Sequence, residues 1–173
     1  IGTGIIATGV KAGKCSDSVI EEFTASMAAL NKRASEIMLE IGVSTATDIT
    51  GFGLIGHLHE VLNASKCRAQ IYSGRVPYFE DAMRLADAGV VPGGTKTNIK
   101  NYEPYVTWDK GVPEVEKILM NDAQTSGGLL IFVPSEKRDN LISALQKENM
   151  LAAYIGDITD KPFDAGRRIR VEK

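Results

Sequence analysis

Asp48 is the carboxylate whose neighbours best suit phosphate and metal chemistry. It lies near the end of a predicted strand, residues 44–49, and just before the turn Thr50-Gly51-Phe52-Gly53, which opens a predicted helix. Backbone amides at a helix amino terminus bind phosphate oxygens, and a carboxylate there can hold the accompanying Mg²⁺. Local sequence alone favours a helix-capping Asp instead. One carboxylate does not build a magnesium site, so further ligands must come from elsewhere.

Two further segments combine glycines with hydroxyl and amide side chains. They are Pro92-Gly93-Gly94-Thr95-x-x-Asn98 and Gln124-Thr125-Ser126-Gly127-Gly128. Each predicts a turn with free amides and hydroxyls that suit a phosphate, and each is equally compatible with a plain turn that bounds a strand. The candidate nucleotide-binding residues in these segments and in the turn after Asp48 are Gly51, Gly53, Thr95, Asn98, Thr125 and Ser126.

Other motifs carry less weight. Gly2-x-Gly4-x-x-Ala7 matches the dinucleotide glycine pattern, but no strand is predicted before it and no helix is predicted to begin within it. His57 and His59 are two residues apart on a predicted helix, where chelating pairs are three or four apart, so histidines at the boundary of the apolar stripe are favoured. Cys67 is predicted to be a small buried hydrophobe, and Cys15 has no assignable base for a catalytic role.

The composition is that of an ordinary globular domain. The 173 residues are 43% hydrophobic and 24% charged, which fits one domain with a real core. The net charge of -2 argues against a dedicated nucleic-acid binder. The sequence shows no apolar run approaching the roughly 20 residues of a membrane span and no signal-peptide pattern. Its two cysteines form no CxxC pair, so a reducing, cytoplasmic location is expected.

The elements that must position these residues mix helices and strands without a regular βαβ rhythm. Predicted strands cover residues 1–10, 44–49, 68–73, 129–133, 153–158 and 168–171. Predicted helices cover residues 16–41, 52–64, 79–88, 115–120 and a segment that begins at Pro134. Residues 129–133 predict a buried central strand, and residues 89–113 a long loop that suits a mobile lid. The pattern favours an α+β layered sandwich with a mixed, mostly antiparallel sheet over a doubly wound sheet.

The segment Thr47-Asp48-Ile49-Thr50-Gly51-Phe52-Gly53-Leu54-Ile55-Gly56-His57 closely resembles a signature block of selenophosphate synthetase (selenide, water dikinase). The opening Gly2-Thr3-Gly4 and the two glycine-rich segments follow the order of that family, and the resemblance runs from Ile1 to about Val133. The wider superfamily includes aminoimidazole ribonucleotide synthetase, thiamine-monophosphate kinase and a hydrogenase maturation factor. The Gly-Phe-Gly-Leu-x-Gly-His and Gln-Thr-Ser-Gly-Gly patterns are similar to the selenium branch.

The resemblance implies that residues 1–173 form a single domain, the C-terminal half of a two-domain enzyme. That enzyme makes selenophosphate, AMP and phosphate from selenide, ATP and water. Relatives act as homodimers and hold ATP and Mg²⁺ mainly in the N-terminal domain, which is absent here. By its position in the motif, Asp48 becomes a metal ligand that helps neutralise the transferring phosphates. The opening at Ile1, inside a predicted strand, also suggests a chain cut from a longer one.

The sequence departs from the family pattern in what it lacks. The reactive Cys or selenocysteine, the Lys and the other metal carboxylates of the family have no counterpart, and Cys15 does not match the nucleophile. Asp122-Ala123 stands where relatives often have Asp-Pro. We therefore expect no dikinase activity from this polypeptide alone. Two alternatives stay open: a non-catalytic binding or interaction module, and the equivalent domain of another ATP-dependent enzyme of the superfamily.

Overall fold

A computed structural model describes residues 1–160, 163 and 166–173 and confirms the α+β class. The helices are α1 Thr3–Lys11, α2 Asp17–Ala28, α3 Lys32–Ile41, α4 Gly53–Ser65, α5 Glu80–Asp87, α6 Gly93–Tyr102, α7 Glu114–Met120 and α8 Arg138–Lys147. The strands are β1 Thr45–Asp48, β2 Arg68–Tyr72, β3 Val106–Trp108, β4 Leu129–Phe132, β5 Gly156–Thr159 and β6 Ile169–Glu172. Short 3-10 helices occupy Ser73–Arg75, Glu103–Tyr105 and Ser135–Lys137.

The described strands form two separate sheets. Strands β1 and β4 make an antiparallel pair in which Asp48 lies opposite Leu129. The second sheet has the order β3-β6-β2-β5, with β2 antiparallel to β5 and with β6 parallel to both β2 and β3. The expected mixed pairing is confirmed. Of the pairings between described strands, two are antiparallel and two are parallel.

The core consists of helices packed on these sheets. The apolar side of α4 is fully buried against the four-stranded sheet through Leu54, Ile55, Leu58 and Leu62. Helices α1, α2 and α5 enclose a second apolar cluster, and α3 and α8 share a third around Ile37. Burial of these side chains is the main favourable contribution to folding. None of the helices that the structure describes is long and apolar enough to cross a lipid bilayer.

The strand predicted at residues 1–10 is wrong, because this segment forms α1. Ile5 and Ile6 are completely buried, and the first amides of the helix are bonded by side chains far along the chain. These tertiary bonds outweigh the β propensity of the isoleucines and threonines. A helix therefore does begin inside the glycine pattern, at Thr3, contrary to the reason given for rejecting a dinucleotide site. Its amides are already taken by this chain's own side chains.

The single helix predicted at residues 16–41 is also wrong, because the chain breaks between α2 and α3. Ala29 has extended backbone angles, and Leu30, predicted on the apolar stripe, is 82% exposed. The side-chain amide of Asn31 donates to the carbonyl of Gly127 over 2.9 Å, which fixes the break against the segment 124–128. Apolar residues continue at spacings of three and four across the break, so periodicity does not reveal it.

Two further predictions are corrected by the structure. The long loop predicted at residues 89–113 contains α6 and β3, because Gly93 opens a helix after Pro92. The strand predicted as buried and central is β4, which pairs with β1 alone among the described strands. Of its four residues only Leu130 is buried. An apolar run thus predicted a strand correctly but gave its place in the sheet wrongly.

Candidate functional site

The Asp48 carboxylate lies on the surface at the last residue of β1. It is exposed, and no side chain in the described part of the protein forms a hydrogen bond or an ion pair with it. The next residue, Ile49, is buried and donates its amide to the carbonyl of Gly128 over 2.9 Å. A Cβ on Gly127 would overlap the carbonyl oxygen of Ile49, so this close approach requires glycine. The segments around Asp48 and around Gly127 therefore run side by side.

The turn after Asp48 is held by the other two glycine-rich segments. The Thr50 carbonyl accepts the amides of Gly53 and Gln124, both over 3.0 Å. The Asn98 side-chain amide donates to the carbonyl of Gly51 over 2.9 Å and to that of Asn121 over 3.0 Å. All three segments singled out in the sequence thus meet at one place, which fixes the direction in which the chain leaves β1.

Beneath this turn lies Asp122, a completely buried carboxylate. It accepts the amides of Gly4 and Ile5 at the first turn of α1, over 2.9 and 3.2 Å. It also accepts the Thr95 hydroxyl over 2.7 Å and the Gln124 side-chain amide over 3.1 Å. Burial raises the pKa of Asp122 above its ordinary value, and these four hydrogen bonds act in the opposite direction. The carboxylate occupies the anion position at the α1 amino terminus.

Gln124 extends this network to the opening of the chain. Its side-chain oxygen accepts the amides of Gly2 and Thr3, over 2.9 and 3.2 Å. The Thr3 hydroxyl also contacts that oxygen, over 3.2 Å, and accepts the amide of Thr125 over 2.9 Å. The glycines of the opening segment are therefore explained by contact with the chain itself, since a Cβ on Gly4 would lie 2.8 Å from an Asp122 oxygen.

The candidate nucleotide-binding residues divide into two groups by exposure. Thr95 and Asn98 are buried, and their side chains bond to the chain's own interior. Thr125 and Ser126 are exposed, and Ser126 adopts a left-handed φ of 52°. Gly51 is exposed at the turn, and Gly53 is buried with a φ of 69°. Ligand binding by any of the six stays a prediction, but only the exposed residues present unbonded groups to solvent.

The two histidines have different surroundings. His57 is buried on α4, with Nε2 placed 3.2 Å from the Thr50 hydroxyl and Nδ1 placed 3.5 Å from Glu60. His59 stacks on Tyr105 with ring centroids 4.1 Å apart. Burial, followed by the charge of Arg168, lowers the pKa of His59. The imidazole of His57 therefore supports the turn after Asp48, and His59 belongs to an aromatic contact.

Sequence reasoning missed the importance of Asp122. It appeared there only within Asp122-Ala123, where relatives often have Asp-Pro and the departure is at Ala123. An aspartate between an apolar helix and an apolar strand must be either exposed or fully hydrogen-bonded. Its hydrogen bonds come in large part from Gly4 and Ile5, more than a hundred positions away, which local sequence does not reveal. The described residues also contain no group of three His, Cys, Asp or Glu side chains able to hold a metal, so Asp48 is not part of such a group.

Comparisons with known proteins give the chain a family context. Residues 3–167 match the family described as AIR synthase related protein, C-terminal domain. The chain is 43% identical over 159 residues to a selenide, water dikinase of Carboxydothermus hydrogenoformans, covering 92% of this chain and 46% of that protein. It is 37% identical over 173 residues to the enzyme of the same name from Pelobacter propionicus, covering 99% and 49%. The chain thus spans about half the length of these curated relatives.

One solved structure supports the fold independently. The crystal structure of hydrogenase maturation protein HypE superposes with a TM-score of 0.59, covering 91% of this chain and 40% of that one. The two sequences are 19% identical, so this likeness bears on the fold and not on the reaction.

Proposed function

Because this chain belongs to the AIR synthase related protein family through its C-terminal domain, we propose that it works as the C-terminal half of a selenide, water dikinase. The observation that carries the proposal is the identity of 37–43% with enzymes of that name across nearly the whole chain. The reaction of the complete protein would join selenide, ATP and water to give selenophosphate, AMP and phosphate. The N-terminal domain of the same enzyme is the partner that the missing half of the relatives' length indicates.

Asp48 is the residue through which this domain would take part in phosphoryl transfer. Its carboxylate is exposed, unpaired within the described residues and fixed at the end of a strand by the turn that follows. Mg²⁺ takes one or two protein carboxylates together with substrate phosphates, and an unpaired Asp fits that requirement. When bound, the ion would neutralise charge on the phosphates. The contribution of this chain is to hold one ligand oxygen in place.

The remaining candidates would have supporting roles. The hydroxyls of Thr125 and Ser126 lie on the exposed side of the segment next to Asp48, where they can donate to phosphate oxygens. Thr95 and Asn98 would act indirectly, since their bonds keep the turn after Asp48 in position. This division assigns ligand contact to exposed groups and positioning to buried groups.

The reacting groups would come from outside this chain. The nucleophile, the Lys and the remaining carboxylates implied by the resemblance are assigned to the N-terminal domain, and a homodimer is proposed for the complete enzyme. We therefore expect no selenide-dependent AMP formation from this chain alone in a steady-state assay. Measurable turnover by the purified 173-residue chain would show that the assigned division between the halves is wrong.

The test of Asp48 uses the full-length enzyme with the substitution Asp48→Asn. We expect selenide-dependent AMP formation to fall about a hundredfold, the typical cost of removing one charge-stabilising group. Asp87→Asn is the matched control, because Asp87 is also exposed but ends α5. Full activity of Asp48→Asn at low Mg²⁺ would remove Asp48 from the site.

Product analysis separates this function from the related phosphotransferases. A dikinase releases AMP and phosphate from ATP, whereas a simple kinase of the same superfamily releases ADP. We expect the full-length protein to form AMP only when selenide is supplied. Selenide-independent ADP formation would assign the chain to another branch of the family.

A further inference from the structure

A cleft of about 1270 Å³ lies between the two sheets. It is lined by β4, by residues of α8 and by the segments 76–81 and 149–158. Asp48 does not line it, whereas Ser126 lies both on its lining and next to the site proposed above. The volume exceeds the roughly 300–1,000 Å³ of pockets that bind small ligands.

The three apolar clusters of the described residues all border this cleft. Leu58 belongs to the cluster under the four-stranded sheet, Ile6 to the second cluster and Leu141 to the third, and each of them lines the cleft. Apolar side chains that are only half-buried line it as well, namely Ile131, Phe132, Val133, Met150 and Ile155. A domain usually has one contiguous core, so further apolar side chains placed in the cleft would join the three clusters.

The charged side chains on the lining disfavour a phosphate-bearing ligand in the cleft. Those of the described residues are the carboxylates of Glu22, Glu80, Asp81 and Asp157 and the guanidinium of Arg138. Arg138 is already paired with Asp139 over 2.8 Å. An anionic ligand would therefore face mainly carboxylates, which repel it.

Strand β4 presents one of its edges to the cleft. Every residue from 126 to 133 lines it, whereas a cleft against one face of a strand would contact every second residue only. In the described part of the chain β4 pairs with β1 alone, so its other edge faces the cleft. At roughly 3.3 Å per residue, this edge accommodates an extended segment of about eight residues.

The backbone of Ile1 indicates which polypeptide reaches the cleft. Its nitrogen donates to the carbonyl of Pro77 over 2.7 Å, and its carbonyl accepts the amide of Phe79 over 3.1 Å. Bonds to the residues on either side of Tyr78 are those that a residue makes in a parallel strand pair. Ile1, Pro77 and Phe79 all line the cleft. Neighbouring Cα atoms are about 3.8 Å apart, so a residue joined to the Ile1 nitrogen also lies at the cleft.

The surroundings of the Ile1 nitrogen suit a peptide group better than a charged one. Burial is the main cause that lowers the pKa of the Ile1 ammonium to about 6, and the charge of Asp122 acts in the opposite direction. A peptide N–H donates the same hydrogen bond to Pro77 without a charge to bury. The geometry is therefore that of a chain that continues through this nitrogen.

We propose that the residues directly before Ile1 in the complete protein, the preceding segment, lie extended in this cleft and pair with the edge of β4 that faces it. Their apolar side chains join the three clusters into one core. This inference rests on the proposed function for the N-terminal half to which the segment belongs. The segment leads into Gly2 and Gly4, whose amides bond to Gln124 and Asp122 below the turn after Asp48. It thereby connects the N-terminal half to the position of Asp48.

The first test measures amide hydrogen exchange in the full-length protein. We expect amides of the preceding segment to exchange at least about a hundredfold more slowly than in an unstructured peptide, because amides bonded in a sheet exchange only when the structure opens. Exchange of the whole segment at the unstructured rate would overturn the proposal. If β4 is then protected only at high protein concentration, a second copy of the chain is the occupant instead.

A replacement tests whether the segment lies in this cleft. Glycine and serine substituted throughout the preceding segment keep its length and remove its apolar side chains. We expect the amides of β4 to exchange about tenfold faster in this variant, since their cover is loosened. Helix α6 is the internal control, because none of its residues lines the cleft. A change no greater in β4 than in α6, or no change in either, would contradict the proposal.

Variants of exposed residues keep the proposal testable if the replacement does not fold. Leu151 lines the cleft and is 82% exposed in this chain, so the preceding segment would cover it. Leu151→Lys in the full-length protein should make the segment exchange about tenfold faster, because a charge is then placed beneath it. Leu39→Lys is the matched control, because Leu39 is 73% exposed but does not line the cleft. Equal effects of the two variants on the segment would count against the proposal.

These measurements are independent of the reaction. A protein with a protected preceding segment but without selenide-dependent AMP formation would overturn the proposed function and leave this inference standing. An active protein whose preceding segment exchanges freely would do the reverse.

Discussion

Asp48 and Asp122 are two aspartates beside glycine-containing turns, and the structure gives them opposite roles. Asp48 ends β1 on the surface, with no partner in the described part of the chain. Asp122 lies completely buried below the same turn and accepts four hydrogen bonds. The two carboxylates differ in how many hydrogen-bond donors their own chain provides. A carboxylate whose acceptor positions are filled by its own chain stabilises the fold, whereas one left open on the surface is available to a ligand.

Removal of each carboxylate is the sharpest test of this comparison. Asp122→Ala leaves two helix amides and the Thr95 hydroxyl without their acceptor, so we expect the free energy of unfolding to fall by about 3–5 kcal/mol. Asp48→Ala removes no internal bond and should change it by less than about 0.5 kcal/mol. Denaturant unfolding of both variants measures the difference.

A milder substitution keeps this test informative if Asp122→Ala does not fold. Asp122→Asn retains one acceptor oxygen and should lose about 1–2 kcal/mol. Equal stability losses for the two aspartates would contradict the contrast between a structural and an available carboxylate.

Local sequence predicted the exposed part of the site better than the buried part. The end of β1, the turn and the start of α4 were predicted close to their positions, because a short β-branched stretch followed by glycines carries a local signal. The helical conformation of α1 was not predicted, because its first amides bind to side chains more than a hundred positions away. Propensity reflects residues that are close in sequence, whereas the conformation of α1 depends on contacts with residues that are distant in sequence.

The same reason explains the other errors. The break at Asn31 depends on a hydrogen bond to Gly127, and α6 is held by bonds from Thr95 and Asn98 to residues 51 and 121–123. The glycine-rich segments were singled out for their amides and hydroxyls, and the structure places both against the turn after Asp48. Their buried side chains were given ligand contact as a prediction, whereas the structure shows them bonded to the chain's interior.

The turn between the two aspartates provides the second test, through Gly53. A Cβ at this position would lie 2.8 Å from the backbone of Asn121, and its φ is 69°. Gly13 is the matched control, because its φ is 66° but a Cβ there would meet nothing within 4 Å. Gly13→Ala should cost about 1–2 kcal/mol of stability for its backbone conformation alone.

Gly53→Ala should lose a further ~1–3 kcal/mol, because either the turn or residues 121–122 must shift to accommodate the methyl group. Thermal unfolding of the two variants measures this difference. A loss of stability no larger than that of Gly13→Ala would mean that the turn shifts at little cost. The hydrogen bonds from Asn98 and Gln124 would then not fix its conformation.

The smallest expected effect is the pH dependence that Asp122 contributes to stability. Burial raises the pKa of Asp122 in the folded protein, so the folded state holds a proton there after the unfolded state has released it. Between the ordinary carboxyl pKa and the raised one, the contribution of Asp122 to stability therefore decreases as pH rises. The difference in unfolding free energy between wild type and Asp122→Asn should decrease through that window, as measured by denaturant unfolding from roughly pH 3 to 7. A difference that increases with pH would mean that the four hydrogen bonds outweigh burial and lower the pKa of Asp122 below its ordinary value.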